Sequence, residues 1–154
     1  MPRAALVLAL ALGACAPPGD APPGNAPPGN APSVTDAYAP AAPAGGTGAL
    51  FFTVTGGAEP DTLVAVAFAG ATRTDVHESY DDGGLRGMRT VPDGVPVAAG
   101  ATVALAPGGV HAMLTNLAAP LVPGDTLAAV ATFARAGEQP FRAVVRPLGA
   151  MPAP

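Results

Sequence analysis

With 154 residues the chain has room for one domain. A net charge of −4, only 12% charged residues and seven arginines scattered without grouping exclude a nucleic-acid surface, which needs clustered cations against phosphate. The 49% hydrophobic content is rich in alanine, and five Phe, two Tyr and no Trp leave few large side chains to fill a core.

The first residues read as an export signal. Arg3 supplies a positive n-region, and Ala4 to Leu12 supply an apolar h-region too short to span a bilayer permanently. The following Leu12-Gly13-Ala14-Cys15 resembles a bacterial lipobox. That resemblance implies a signal peptide over residues 1–14, cleavage before Cys15, and acylation of the thiol and the new amino terminus. Several acyl chains on one residue hold a protein on a membrane where a single chain does not. The expected location is therefore the periplasm or cell envelope, on a lipid anchor. Cys15 is the only cysteine. The domain behind it can form no disulfide and has no thiolate to offer a metal.

From Ala16 a pentapeptide repeats, Ala-Pro-Pro-Gly-Asp and then Ala-Pro-Pro-Gly-Asn twice, and the Pro/Ala bias runs on to Gly46. Such a segment favours extended polyproline II, so residues 15–46 are expected to be a tether reaching up to about 90 Å at roughly 3.1 Å per residue. Residues 47–148 read as all-β: short apolar runs separated by Gly, Pro and Asp turns. The predicted strands are Ala49–Thr55, Thr62–Phe68, Thr74–Tyr80, Leu85–Val91, Thr102–Ala106, Val110–Leu114, Thr126–Phe133 and Phe141–Val145. Asp81-Asp82-Gly83-Gly84 and Pro107-Gly108-Gly109 read as hairpin turns. Along the last strand, Phe141, Ala143 and Val145 face one way and Arg142, Val144 and Arg146 the other. Regular turn spacing and no helical period indicate a β-sandwich or small barrel, with residues 149–154 as a disordered tail.

Both histidines and two of the four methionines form a spaced set: His77, Met88 after ten intervening residues, and His111-Ala112-Met113. On a strand His111 and Met113 share a face, with Val110, Ala112 and Leu114 turned to the core, and His77 shares its face with Asp75 and Ser79. Neither histidine falls on the apolar side, so the set is expected at a rim, exposed to a partner. Imidazole and thioether without thiolate or carboxylate suit Cu(I) better than Zn(II). A blue-copper centre is excluded because its Cys thiolate is missing. Ser79 beside His77 has no oxyanion-forming glycine motif, so no enzyme is read here. Asp75, Glu78, Asp81 and Asp82 around His77 suggest a carboxylate-rich site for a harder ion, but a solvated turn explains Asp81 and Asp82 better, and an acidic rim could guide docking on a basic partner.

The stretch His77 to Arg89, with Pro107-Gly108-Gly109-Val110-His111-Ala112-Met113-Leu114, resembles the periplasmic copper chaperones of the PCu(A)C type, which carry His, ten residues, Met, about twenty-one residues, then His-x-Met. Leu117, Pro120-Leu121 and Gly124-Asp125-Thr126 also fit that pattern. The resemblance implies a cupredoxin-like Greek-key β-sandwich and ligand roles for His77, Met88, His111 and Met113. It also implies delivery of Cu(I) to the CuA centre of cytochrome oxidase, with oxidase subunit II or another copper chaperone as partner. Here twenty-two residues separate Met88 from His111. The extra residue is expected in the loop Pro92–Pro96, because a shift within a strand would turn Met88 to the wrong face. Two other roles compete: an envelope copper buffer without a dedicated recipient, and a metal-free structural β-sandwich lipoprotein.

Overall fold

The computed structural model describes residues 29–150. The expected signal peptide, Cys15, the first part of the tether as far as residue 28, and the end of the tail lie outside these residues. Among the described residues there is no helix, and ten strands follow one another: β1 (Ser33–Pro40), β2 (Gly48–Thr55), β3 (Asp61–Phe68), β4 (Ala71–Asp82), β5 (Leu85–Thr90), β6 (Val95–Val97), β7 (Thr102–Leu105), β8 (Val110–Leu117), β9 (Thr126–Phe133) and β10 (Gly137–Arg146). They pair in the order β5-β4-β8-β2-β1-β10-β9-β3-β6, with β7 also on β2. Strand β2 is the hinge between two layers. Its first residues pair with β8, its later ones with β7, and β1 takes the opposite edge. The two layers close over Leu50, Phe52, Val54, Leu63, Val76, Leu105, Ala112, Leu114, Phe133 and Val145, all buried in one cluster. Residues alternate as period-two burial demands: Phe141, Ala143 and Val145 are inside, while Val144 stays exposed.

The folded part starts earlier than expected. Residues 33–40, assigned to the tether from composition, form β1 in the middle of the sheet, antiparallel to β2 and parallel to β10. Its alternation is hidden by a register shift between Thr35 and Tyr38, where Asp36 takes a left-handed φ of 53°. The presumed loop Pro92–Pro96 is also partly a strand. Val95 and Val97 are buried as β6 pairs with β3, and Gly94, at φ 74°, lies so near the Leu63 carbonyl that a Cβ would strike it.

A buried carboxylate fastens the far layer. Asp61 accepts backbone N–H bonds from Thr62 (2.7 Å), Arg135 (2.9 Å) and Ala136 (2.9 Å), which tie the β9–β10 turn to the start of β3. Burial alone would raise its pKa; the three N–H donors and the Arg135 charge outweigh this and lower it.

Candidate metal centre

The outer face of the β5-β4-β8 layer carries all four candidate ligands. Antiparallel pairing sets His77 directly opposite His111, with Glu78 opposite Val110 and Val76 opposite Ala112. Cross-strand partners share a face, so the imidazoles face away from the core that Val76 and Ala112 enter. The β4–β5 hairpin runs in unbroken register from His77↔Thr90 to Asp82↔Leu85, and places Met88 opposite Ser79. Gly83 and Gly84 close it with φ of 61° and 92°, the two positive values that a tight two-residue turn requires. The pairing of β4 with β8 is equally regular from Asp75↔Met113 to Glu78↔Val110. Both ladders stay in step, so Met88 shares the face of His77 and His111.

The two histidines come together; the methionines flank them. Their ring centroids are 6.2 Å apart and the rings meet edge to face. A metal–nitrogen bond of about 2.0 Å would put an ion roughly 3 Å from each ring centre, so this spacing is within reach of one shared ion. Met113 lies in the row of Asp75, on one side of the pair. Met88 lies in the row of Ser79, on the other side. These rows are about 13 Å apart along the strands, so the two thioethers approach the histidines from opposite ends. Met88 is 58% exposed and lines a cleft with Ser79, Tyr80, Asp81, Arg86 and Gly108. Three rotatable bonds let a methionine cover such a gap.

Burial differs from expectation. Both imidazoles were expected at an exposed rim, yet His77 is 8% and His111 7% exposed. For His111 the reason is an apolar patch on the outer face. Phe51 packs 6.2 Å from His111 and Tyr38 packs 5.3 Å from Phe51, measured between ring centroids. Neither aromatic belongs to the site that the sequence predicts. The adjacent pair Phe51-Phe52 was the available signal, since neighbours on a strand face opposite ways and one of the two rings had to lie outside the core.

Polar contacts then distinguish the two imidazoles. His111 Nδ1 lies 3.1 Å from the Gly109 carbonyl, which can only accept, so Nδ1 carries the proton and Nε2 keeps its lone pair. The Nδ1 of His77 is buried without any hydrogen-bond partner. A buried polar atom left unpaired is costly, and an imidazole nitrogen in that position is a ready metal ligand. The donor set thus suits a soft or borderline ion. The surrounding acids are neutralised rather than presented: Asp75 pairs with Arg73, Asp81 with Arg86 at 3.3 Å, and Glu78 with Arg89 at 2.7 Å. The acidic rim read from the sequence is largely cancelled by arginines on the same hairpin.

Residues 33–145 match the family described as LpqE-like, "Putative lipoprotein LpqE-like". The chain is 31% identical over 113 residues to "Putative lipoprotein Lxx21020" of Leifsonia xyli subsp. xyli (strain CTCB07), covering 73% of this chain and 68% of that protein. Among solved structures it is similar to the copper-bound PCuAC domain from PmoF2, at 22% identity and a TM-score of 0.61, over 76% of this chain and 93% of that one. It is also similar to CuI-DR1885 from Deinococcus radiodurans, at 28% identity and a TM-score of 0.56, over 73% and 78% of the two chains. The chain belongs to the LpqE-like family, and its β-sandwich has the cupredoxin-like fold of the PCuAC domains.

Proposed function

We propose that the domain binds one Cu(I) through His77, His111, Met113 and Met88 and passes it to another protein outside the cytoplasm, without turnover of a substrate. The observation that carries this reading is the facing pair of buried imidazoles, one with its tautomer set by Gly109 and the other with an unpartnered nitrogen. The likeness to CuI-DR1885 supports the choice of ion. So does the donor chemistry, because thioethers hold Cu(I) and disfavour Zn(II). In this reading the histidines and Met113 form the fixed part of the site. Met88, on an exposed hairpin, is the ligand that opens to admit or release the ion. The lipoprotein names of its relatives support an envelope location on a lipid anchor at Cys15. The recipient we propose is the CuA centre of cytochrome oxidase, reached directly through subunit II or by way of another copper chaperone.

Titration of the reduced protein with Cu(I) against a competing chelator tests the binding step. About one ion retained per chain is expected, with sulfur and nitrogen neighbours in its X-ray absorption spectrum. Retention of none would leave a metal-free structural role. Incubation of the loaded protein with an apo oxidase subunit tests the transfer step: copper appearing in the CuA site supports a chaperone, and copper remaining on the donor supports a buffer.

A further inference from the structure

One row of side chains crosses the outer face of the sheet perpendicular to the strands. It runs from Arg146 on β10 through Tyr38 on β1, Phe51 on β2 and His111 on β8 to His77 on β4. The Arg146 guanidinium lies 4.4 Å from the centre of the Tyr38 ring. The next steps are 5.3 Å, 6.2 Å and 6.2 Å between ring centroids. Tyr38 and Phe51 are 6% and 7% exposed, yet neither belongs to the core cluster between the layers. Two large aromatic side chains are thus buried on the face that an antiparallel sheet ordinarily turns to water. Their aromatic contacts, among the described residues, are each other and His111.

We propose that Phe51, backed by Tyr38, is a positioning and specificity-determining residue for the metal site. This inference rests on the copper reading above and deepens it. Phe51 holds the His111 ring so that Nδ1 stays on the Gly109 carbonyl and Nε2 stays available. On that side it also replaces water by hydrocarbon. A desolvated wall penalises a doubly charged ion more than a singly charged one, because the cost of removing charge from water rises steeply with charge. Cu(II) moreover prefers tetragonal sites with oxygen or water ligands, which this wall denies it. The wall therefore selects Cu(I) over Cu(II). Arg146 caps the far end on Tyr38, so the row is closed to solvent at the end away from the metal.

The test uses the full-length protein with Phe51→Ala and Phe51→Leu. Cu(I) and Cu(II) affinities, each measured by chelator competition, give the preference between the two states. Phe51→Ala is expected to lower that preference about tenfold or more, a size typical of groups that orient ligands from behind. Phe51→Leu, which keeps the hydrocarbon, should restore most of it. A preference unchanged within twofold in folded Phe51→Ala overturns the specificity role. The second readout needs no copper: ¹⁵N NMR of the metal-free protein should show His111 as a single Nδ1–H tautomer in the wild type and as a mixture in Phe51→Ala. A single tautomer in both overturns the positioning role. If Phe51→Ala does not fold, Tyr38→Ala, which removes the ring behind Phe51, carries both readouts, with shifts in the same direction expected and the same null results overturning the proposal. Failure of wild-type protein to retain Cu(I) would sink the functional reading, while the tautomer measurement would still decide the positioning role.

Discussion

At the scale of single residues, the proposed ligands divide into buried and exposed ones, and the two kinds should respond differently to mutation. His77 and His111 sit among other side chains, so their removal disturbs packing together with any metal bond. Met88 is 58% exposed on a hairpin strand whose residues are mostly exposed, so it contributes little to the fold. Met88→Ala is therefore expected to weaken Cu(I) binding about tenfold or more, while changing stability by less than about 0.5 kcal/mol. Chelator competition and thermal unfolding of the same sample check both halves. Full affinity in the variant would remove Met88 from the ligand set; a large loss of stability would make it a packing residue. Much of this was legible in the sequence. Strand parity alone put His77, His111 and Met113 off the main core, and the β4–β8 ladder has that parity. The depth of His111 was not legible, because it depends on Phe51, backed by Tyr38, and Phe51 meets His111 only through the pairing of distant strands.

At the scale of elements, what matters is register. The β4–β5 hairpin keeps Met88 on the histidine face because Gly83-Gly84 makes a two-residue turn and every pair from His77↔Thr90 to Asp82↔Leu85 is in step. One residue inserted within β5, between Leu85 and Arg86, would offset the rest of the strand by one position and turn Met88 to the opposite face. The expected outcome is a folded protein with Cu(I) binding as weak as that of Met88→Ala. One residue inserted instead in the exposed turn at Gly100, after β6, leaves both ladders untouched and should leave binding unchanged. Equal effects from both insertions would show that strand register does not govern the site. The hairpin and most strands were readable as alternating runs ended by glycine turns. Two were not. Ser33–Pro40 is small, polar and broken by a bulge at Asp36, so it carries no period-two signal. Val95–Val97 is three residues around a proline, and only its place beside β3 makes it a strand.

At the scale of the whole molecule, the site rests on a sandwich whose other layer must hold its own shape, and Asp61 is a main fastening there. Its carboxylate gathers three backbone N–H groups from two segments far apart in sequence, beside the Arg135 charge. Burial raises its pKa, but these donors more than compensate, so the folded-state value lies below the unfolded one. By linkage, the stabilisation is fully present above the unfolded carboxylate pKa of about 3.9 and is lost as pH falls through the lower folded value. Asp61→Asn keeps one acceptor but gives up the charge, and should cost about 1–3 kcal/mol at pH 7. Urea unfolding at a series of pH values from 7 to about 2.5 checks the sign: the gap between wild type and variant should narrow steadily below pH 4. A gap constant across the range would mean that the shape of the side chain, and not its ionisation, holds the turn to β3. The proposed copper site should be indifferent to this change at pH 7, because Asp61 fastens β3 to the β9–β10 turn and all four candidate ligands lie on β4, β5 and β8.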